Sequence, residues 1–157
     1  MIVDAGTRTT DVLTCDGVDM SPVEGLSFSL ETGVAAAAGK VAARAQSETG
    51  HLPPPDVAGR VLLGEAVVWH GRRAGGAAEA LDAVASEVRA EVGRRFGKDV
   101  GRVLATAVVG GGGVLLRDRL AGLLPGETVA ATPEEMLFAN ALGFQWVAEQ
   151  SALRAVV

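Results

Sequence analysis

The chain has no tyrosine, and aromatic residues make up only 4% of it. A core without aromatic bulk has to be built from Val, Leu and Ala. There is a single cysteine, Cys15, which excludes an internal disulfide and fits a reducing compartment. It ends the run Asp11-Val12-Leu13-Thr14-Cys15 and reads as a small buried hydrophobe, with no histidine near it in sequence to activate it. His51 and His70 are the only histidines, and no acidic or cysteine cluster accompanies them at ligand spacing, which argues against a histidine metal site. No apolar run approaches the ~18 residues of a membrane span. The opening residues carry Asp4 and no basic segment, so no signal peptide is read and the cytoplasm is the expected compartment. A basic face is also missing: 14 Lys and Arg stand against 19 Asp and Glu, for a net charge of −5, and the basic residues pair up only at Arg72-Arg73 and Arg94-Arg95. Direct DNA binding needs such a face. Two common phosphate signatures fail as well. No Gly-Lys-Ser/Thr follows the chain's glycine run, and Leu115 breaks a Gly-x-Gly-x-x-Gly pattern.

What is present alternates between two periods. Ile2-Val3 opens a strand, Thr9 to Thr14 continues as a second, and Leu26-Ser27-Phe28-Ser29-Leu30 alternates at period 2 as a third. Short turns between them predict an antiparallel start. Ala-rich Val34 to Gln46 reads as a helix started by Glu31-Thr32-Gly33. The three prolines of 50–56 predict a loop. Val61-Leu62-Leu63 and Val67-Val68-Trp69 are apolar runs of undecided type. From Ala77 to Phe96 the apolar residues step by three or four, which predicts a helix closed by Gly97. Val103 to Val109 is a continuous apolar run suited to a buried parallel strand. A helix through Leu123, a short strand at Val129 and a last helix opened by Thr132-Pro133 complete the chain. The order predicts an α/β fold: a mixed sheet opening on antiparallel strands and flanked by helices. Residues 1–33 and 100–157 form its core, and 34–99 form a small inserted lobe. Trp69 and Trp146 read as packing anchors.

Two segments carry candidate chemistry. Asp4-Ala5-Gly6-Thr7-Arg8-Thr9-Thr10-Asp11 spans a tight turn between the first two strands. Gly6 permits close backbone approach, the turn's amides can converge on phosphate oxygens, and Thr7, Thr9 and Thr10 add hydroxyls. Asp4, at the end of the first strand, suits a hydrated Mg²⁺ or an attacking water, and Asp11 either serves the same site or caps the turn. An ordinary polar hairpin is the alternative. The second segment is Val108-Val109 followed by Gly110, Gly111, Gly112 and Gly113. A buried strand entering four glycines and a helix is a way to bring backbone against a nucleotide; a tight turn alone needs fewer.

Together, Asp-x-Gly-x-x-Thr-x-Asp and the later Val-Val-Gly-Gly-Gly-Gly resemble the actin/Hsp70/sugar-kinase superfamily, whose fold is ribonuclease H-like. The closing Thr132-Pro133 with Phe138-Ala139-Asn140-Ala141-Leu142-Gly143-Phe144 looks like the final helix of actin-like ParM/StbA plasmid-segregation proteins. The resemblance covers essentially the whole chain. It implies an actin-like fold that binds ATP or ADP with Mg²⁺. Asp4 then stands beside metal and water, and Gly6, Thr9 and Asp11 match the second phosphate loop. Thr7 stands where a second glycine is common. Gly110 to Gly113 match the adenosine loop, and Lys40 or Glu48 reaches toward the ribose, while Asn140 is expected to bond loop backbone near the nucleotide. It also implies filaments and a DNA-bound adaptor as partners. A kinase-like or reactivating-chaperone ATPase is the alternative within the superfamily, and a non-enzymatic filament regulator lies outside enzymology. Members of the family carry about as much chain again before the second phosphate loop. With that half absent, the nucleotide is expected to be held from one side, bound weakly and not usefully hydrolysed.

Overall fold

The computed structural model describes residues 1–18 and 20–154, with side chains as far as Glu149. Three strands come first: β1 (Ile2–Ala5), β2 (Thr10–Leu13) and β3 (Phe28–Leu30). Then follow α1 (Val34–Thr49), α2 (Pro55–Leu62), a ribbon of β4 (Val68–Trp69) and β5 (Arg72–Arg73), and α3 (Ala77–Phe96). After a 3₁₀ turn at Gly97–Arg102 the chain ends in β6 (Ala105–Val109), α4 (Gly113–Ala121), β7 (Glu127–Thr128) and α5 (Pro133–Arg154).

The main sheet has the order β3-β2-β1-β6-β7. Its β1-β2 and β2-β3 pairs are antiparallel, and β6 runs parallel to both β1 and β7. This is the mixed sheet with an antiparallel opening that the sequence predicts. Alternation assigns its faces. Val3, Ala5, Thr10, Val12, Thr106 and Val108 are buried, in one core with Leu116, Leu120 and Met136. Ile2, Asp4, Asp11, Leu13, Ala107 and Val109 occupy the other face, which is only partly covered.

α3 shows how the helical layer is held. Leu81, Val84, Ala85, Val88, Val92 and Phe96 form its buried stripe, packed chiefly against α1, where Ala37, Val41 and Ala45 are buried. Each large side chain in such a stripe contributes roughly 1.5–3 kcal/mol by leaving water. Glu91 lies at its edge, accepting from Arg94 Nε at 2.7 Å and Arg95 Nε at 2.9 Å. Hydrogen bonds from Arg94 and then Arg95 pull its carboxyl down to about 2.

Several expectations change. The proline segment does not stay a loop throughout: Pro55 is the first residue of α2, where its missing amide costs nothing. The strand before the glycines begins at Ala105, because Val103-Leu104 leaves the 3₁₀ turn and Leu104 is 83% exposed. β7 lies at Glu127–Thr128, one residue before Val129. Trp69 is partly buried and donates Nε1–H to the His51 carbonyl at 3.0 Å, below stacked His51 and His70 rings 4.0 Å apart. Trp146 is no packing anchor: it is 62% exposed on α5, because α5 runs past the edge of the core after Met136. Cys15 is half-buried, in an isolated bridge with Pro22.

Candidate functional site

In the turn between β1 and β2 the carbonyls of Gly6, Thr7 and Thr9 are bonded to protein amides. Thr9 carbonyl accepts the Gly6 amide at 2.9 Å. The Gly6 and Thr7 carbonyls accept the first amides of α1, from Val34 at 3.2 Å and Ala35 at 2.8 Å. α1 has no capping side chain, and these loop carbonyls take that place. Gly33 makes the approach possible, since a Cβ there would sit 2.7 Å from the Gly6 carbonyl oxygen and 2.8 Å from that of Thr7. With the carbonyls occupied, the amides of Thr7, Arg8 and Thr9 have no acceptor among the described residues, and all three residues are exposed. Three successive free amides on an exposed turn are an arrangement able to bind an anion.

The glycine run closes against this turn. Gly112 donates to the Ala5 carbonyl at 2.7 Å, and a Cβ on it would meet that oxygen at 2.7 Å, the Gly6 oxygen at 2.9 Å and Val34 Cγ2 at 2.6 Å. Gly110 adopts φ 85°, donates to the Met136 carbonyl at 2.8 Å, and leaves no room for a Cβ beside Asp4 Oδ1. Gly113 donates to Gly110. Gly110 and Gly112 therefore serve close packing of one loop on the other, while Gly113 packs against Met136 and Val108. Gly111 differs: it is exposed, its amide has no acceptor among the described residues, and a Cβ would meet only Leu137 Cδ1 at 3.7 Å. Of the four it is the one left open on the surface.

Asp4 and Asp11 are direct partners across β1-β2, on the same face. Asp11 has both oxygens engaged, by the hydroxyls of Ser29 and, at 3.3 Å, Thr9, so it clasps the turn. Asp4 accepts Asn140 Nδ2 at 2.9 Å on Oδ2, and Oδ1 has no hydrogen-bond partner among the described residues. No group of three or more His, Cys, Asp or Glu could hold a metal ion among the described residues. A single carboxylate beside free amides fits instead an ion carried largely by phosphate and water, as Mg²⁺ is.

The structure thus brings Asp4, Gly6, Thr7, Thr9, Asp11 and Gly110 to Gly113 to one place. Lys40 lies on the exposed side of α1, six residues and about 9 Å along the axis from Val34. Glu48 is paired with Arg44. Sequence reading missed the role of Gly33, whose signal was a glycine at the position where a capping side chain is usual. It also missed a buried relay. Thr10 Oγ1 donates to the Thr32 carbonyl at 2.7 Å, and Thr32 Oγ1 bonds Glu87 of α3 at 3.2 Å.

Residues 2–122 match the family described as archaeal actin homologue MreB-like, C-terminal. The chain belongs to this family. The archaeal actin homologue of Thermoplasma volcanium is 38% identical over 154 residues, covering 96% of this chain and 47% of that protein. Its Thermoplasma acidophilum counterpart is 37% identical with the same coverage. The chain thus spans about half the length of the curated relatives it matches. A crystal structure of an archaeal actin homologue in complex with ADP has 37% identity and a TM-score of 0.85, covering 95% of this chain and 49% of that one. A ParM protein superposes with a TM-score of 0.79 at 18% identity, over 95% of this chain and 46% of that one, a likeness of fold. The fold is accordingly actin-like, and the region matched in the relatives is their C-terminal half.

Proposed function

We propose that this actin-like chain is the nucleotide-binding half of an ATPase that assembles into filaments. The observation that carries the reading is the turn whose Gly6, Thr7 and Thr9 carbonyls are spent on protein while the amides of exposed Thr7, Arg8 and Thr9 have no acceptor among the described residues. ADP or ATP phosphates sit on those amides, Gly6 giving them room, and Gly111 lies under the adenosine. Asp4 would hold a hydrated Mg²⁺. A bound nucleotide supplies a transferable phosphoryl group; the chain's part is to orient phosphate, by amides fixed before binding, and to orient water at Asp4. Residues 34–99 act as the small lobe and 1–33 with 100–157 as the core subdomain. That an archaeal actin homologue 37% identical has been crystallised with ADP supports the nucleotide reading.

The finer reading is a filament that moves DNA through a DNA-bound adaptor, as the likeness of Phe138 to Phe144 to the ParM/StbA ending implies. The exposed apolar side of α5, with Phe144, Trp146 and Val147 over Ile2, Ala107 and Val109, is the surface that further protein covers in the assembled molecule. Backbone amide NMR with added Mg-ADP tests the site. The shifts of Thr7, Arg8, Thr9 and Gly111 are expected to move together. Movement confined to residues remote from both loops would refute the assignment.

A further inference from the structure

We propose that Asn140 is a positioning residue for Asp4, setting the carboxylate plane from the last helix; the proposal rests on the nucleotide reading above. The χ2 torsion of an aspartate is soft and two-fold, so a carboxylate at a strand end has no preferred plane of its own. Asp4 also faces Asp11 across β1-β2, and like charges directly opposite push apart. Against both tendencies acts one donor, Asn140 Nδ2, 2.9 Å from Asp4 Oδ2 and 136 residues away in sequence. Oδ1 is left beside Gly110, with no hydrogen-bond partner among the described residues. The oxygen that can serve a hydrated cation is therefore chosen by the amide that occupies the other.

Asn140 is itself held from below. It stands one helical turn after Met136, on the same side of α5. Met136 is buried, and its carbonyl receives the Gly110 amide at 2.8 Å. The start of α5 is fixed by a capping box: Thr132 Oγ1 accepts the Glu135 amide at 3.2 Å, and Glu135 Oε2 accepts the Thr132 amide at 2.7 Å. α5 is thus anchored without Asn140, which lies exposed at the mouth of a recess of about 420 Å³ whose lining includes Ile2, Val109, Phe144 and Trp146. An exposed amide adds little to that anchoring, whereas orienting Asp4 requires it.

Two measurements on this chain test the proposal. In NMR spectra the Asn140 side-chain amide is expected to be shifted and slow to exchange, and to return to the position of a free amide in Asp4→Ala. In titrations, Asn140→Ala is expected to weaken Mg-ADP about tenfold, as loss of a group orienting a metal ligand does, and to leave metal-free ADP within about twofold. Asn140→Gln is expected to restore part of the loss. An Asn140 amide that exchanges as a free one, in a parent that binds Mg-ADP, overturns the inference and leaves the nucleotide reading standing. Equal weakening with and without Mg²⁺, with a lowered thermal midpoint, reduces Asn140 to an anchor of α5 and overturns it too. A shifted amide in a parent that binds no nucleotide overturns the nucleotide reading, and the positioning role with it.

Discussion

The amide of Gly112 donates to the carbonyl of Ala5 across 2.7 Å, joining two loops more than a hundred residues apart in sequence. Neither an alanine nor anything larger fits at that contact, because a Cβ would strike backbone oxygen and Val34 together. Gly112→Ala is expected to destabilise the fold by about 1–3 kcal/mol, the usual cost of overpacking. Gly111→Ala, one residue away and facing open space, is expected to stay within about 0.5 kcal/mol of the parent. Urea denaturation of the two variants side by side checks the contrast.

Asp4 and Asp11 oppose each other on one face of the sheet, so their charges repel although each carboxylate accepts hydrogen bonds. Asp4→Asn keeps an acceptor for Asn140 and removes the repulsion. It is expected to raise stability by about 0.2–1 kcal/mol while weakening Mg-nucleotide binding. Thermal unfolding and metal-dependent titration together check the opposed signs; a less stable Asp4→Asn would show that the repulsion is not felt.

The Thr10 hydroxyl is buried and bonded to the Thr32 carbonyl. Thr10→Val keeps the shape and strands that carbonyl, with an expected loss of about 1–3 kcal/mol. Because Thr32 precedes the helix that clasps the turn between β1 and β2, the amide resonances of Thr7 and Arg8 are expected to shift in the same variant. An unshifted turn would separate the relay from the site.

Acid sensitivity follows from two lowered carboxyls. Glu91 is held at about 2 by Arg94 and Arg95, and Glu135 is lowered by the Thr132 amide and hydroxyl. Both ordinarily titrate near 4.5, so their contribution is complete above that pH and is lost as pH falls through the lowered folded values. Glu91→Gln is expected to flatten the fall of the thermal midpoint between about pH 4.5 and 2. A fall unchanged in that variant would place the acid sensitivity elsewhere.

Phe144, Trp146 and Val147 leave an apolar surface open on α5. The chain alone is expected to self-associate with rising concentration, and Phe144→Ser with Trp146→Ser to suppress this without loss of fold. Analytical ultracentrifugation of parent and double variant at matched concentrations checks it; a parent that stays monomeric throughout would contradict it.

Much of the fold was legible because its signals are periodic. The stripe of α3 gives its limits from Ala77 to Phe96, and the period-2 stretch around Phe28 gives the third strand. The Thr132-Pro133 start of α5 is equally plain. α2 was hidden because prolines read as breakers, although Pro55 occupies the one helical turn that accepts it. At the site, residue types pointed to the two loops but not to how they share the work. Sequence cannot say that Gly110 and Gly112 are spent on packing while Gly111 stays open. Nor can it say that Asp11 is clasped by Ser29 while Asp4 is met by Asn140, since both depend on contacts between distant segments. Trp146 misled for the same reason: an aromatic on an apolar helix reads as core until the packing shows where the core stops.

The central claim is a nucleotide on the turn of Thr7 to Thr9 and on Gly111, and calorimetric titration with Mg-ATP and Mg-ADP tests it most directly, on the parent and on Gly111→Val. The account predicts weak, saturable binding by the parent, abolished in Gly111→Val at an unchanged thermal midpoint, because that side chain enters the ligand's space and not the protein's. Absence of binding at millimolar nucleotide, or a Gly111→Val variant that binds as the parent does, would contradict it.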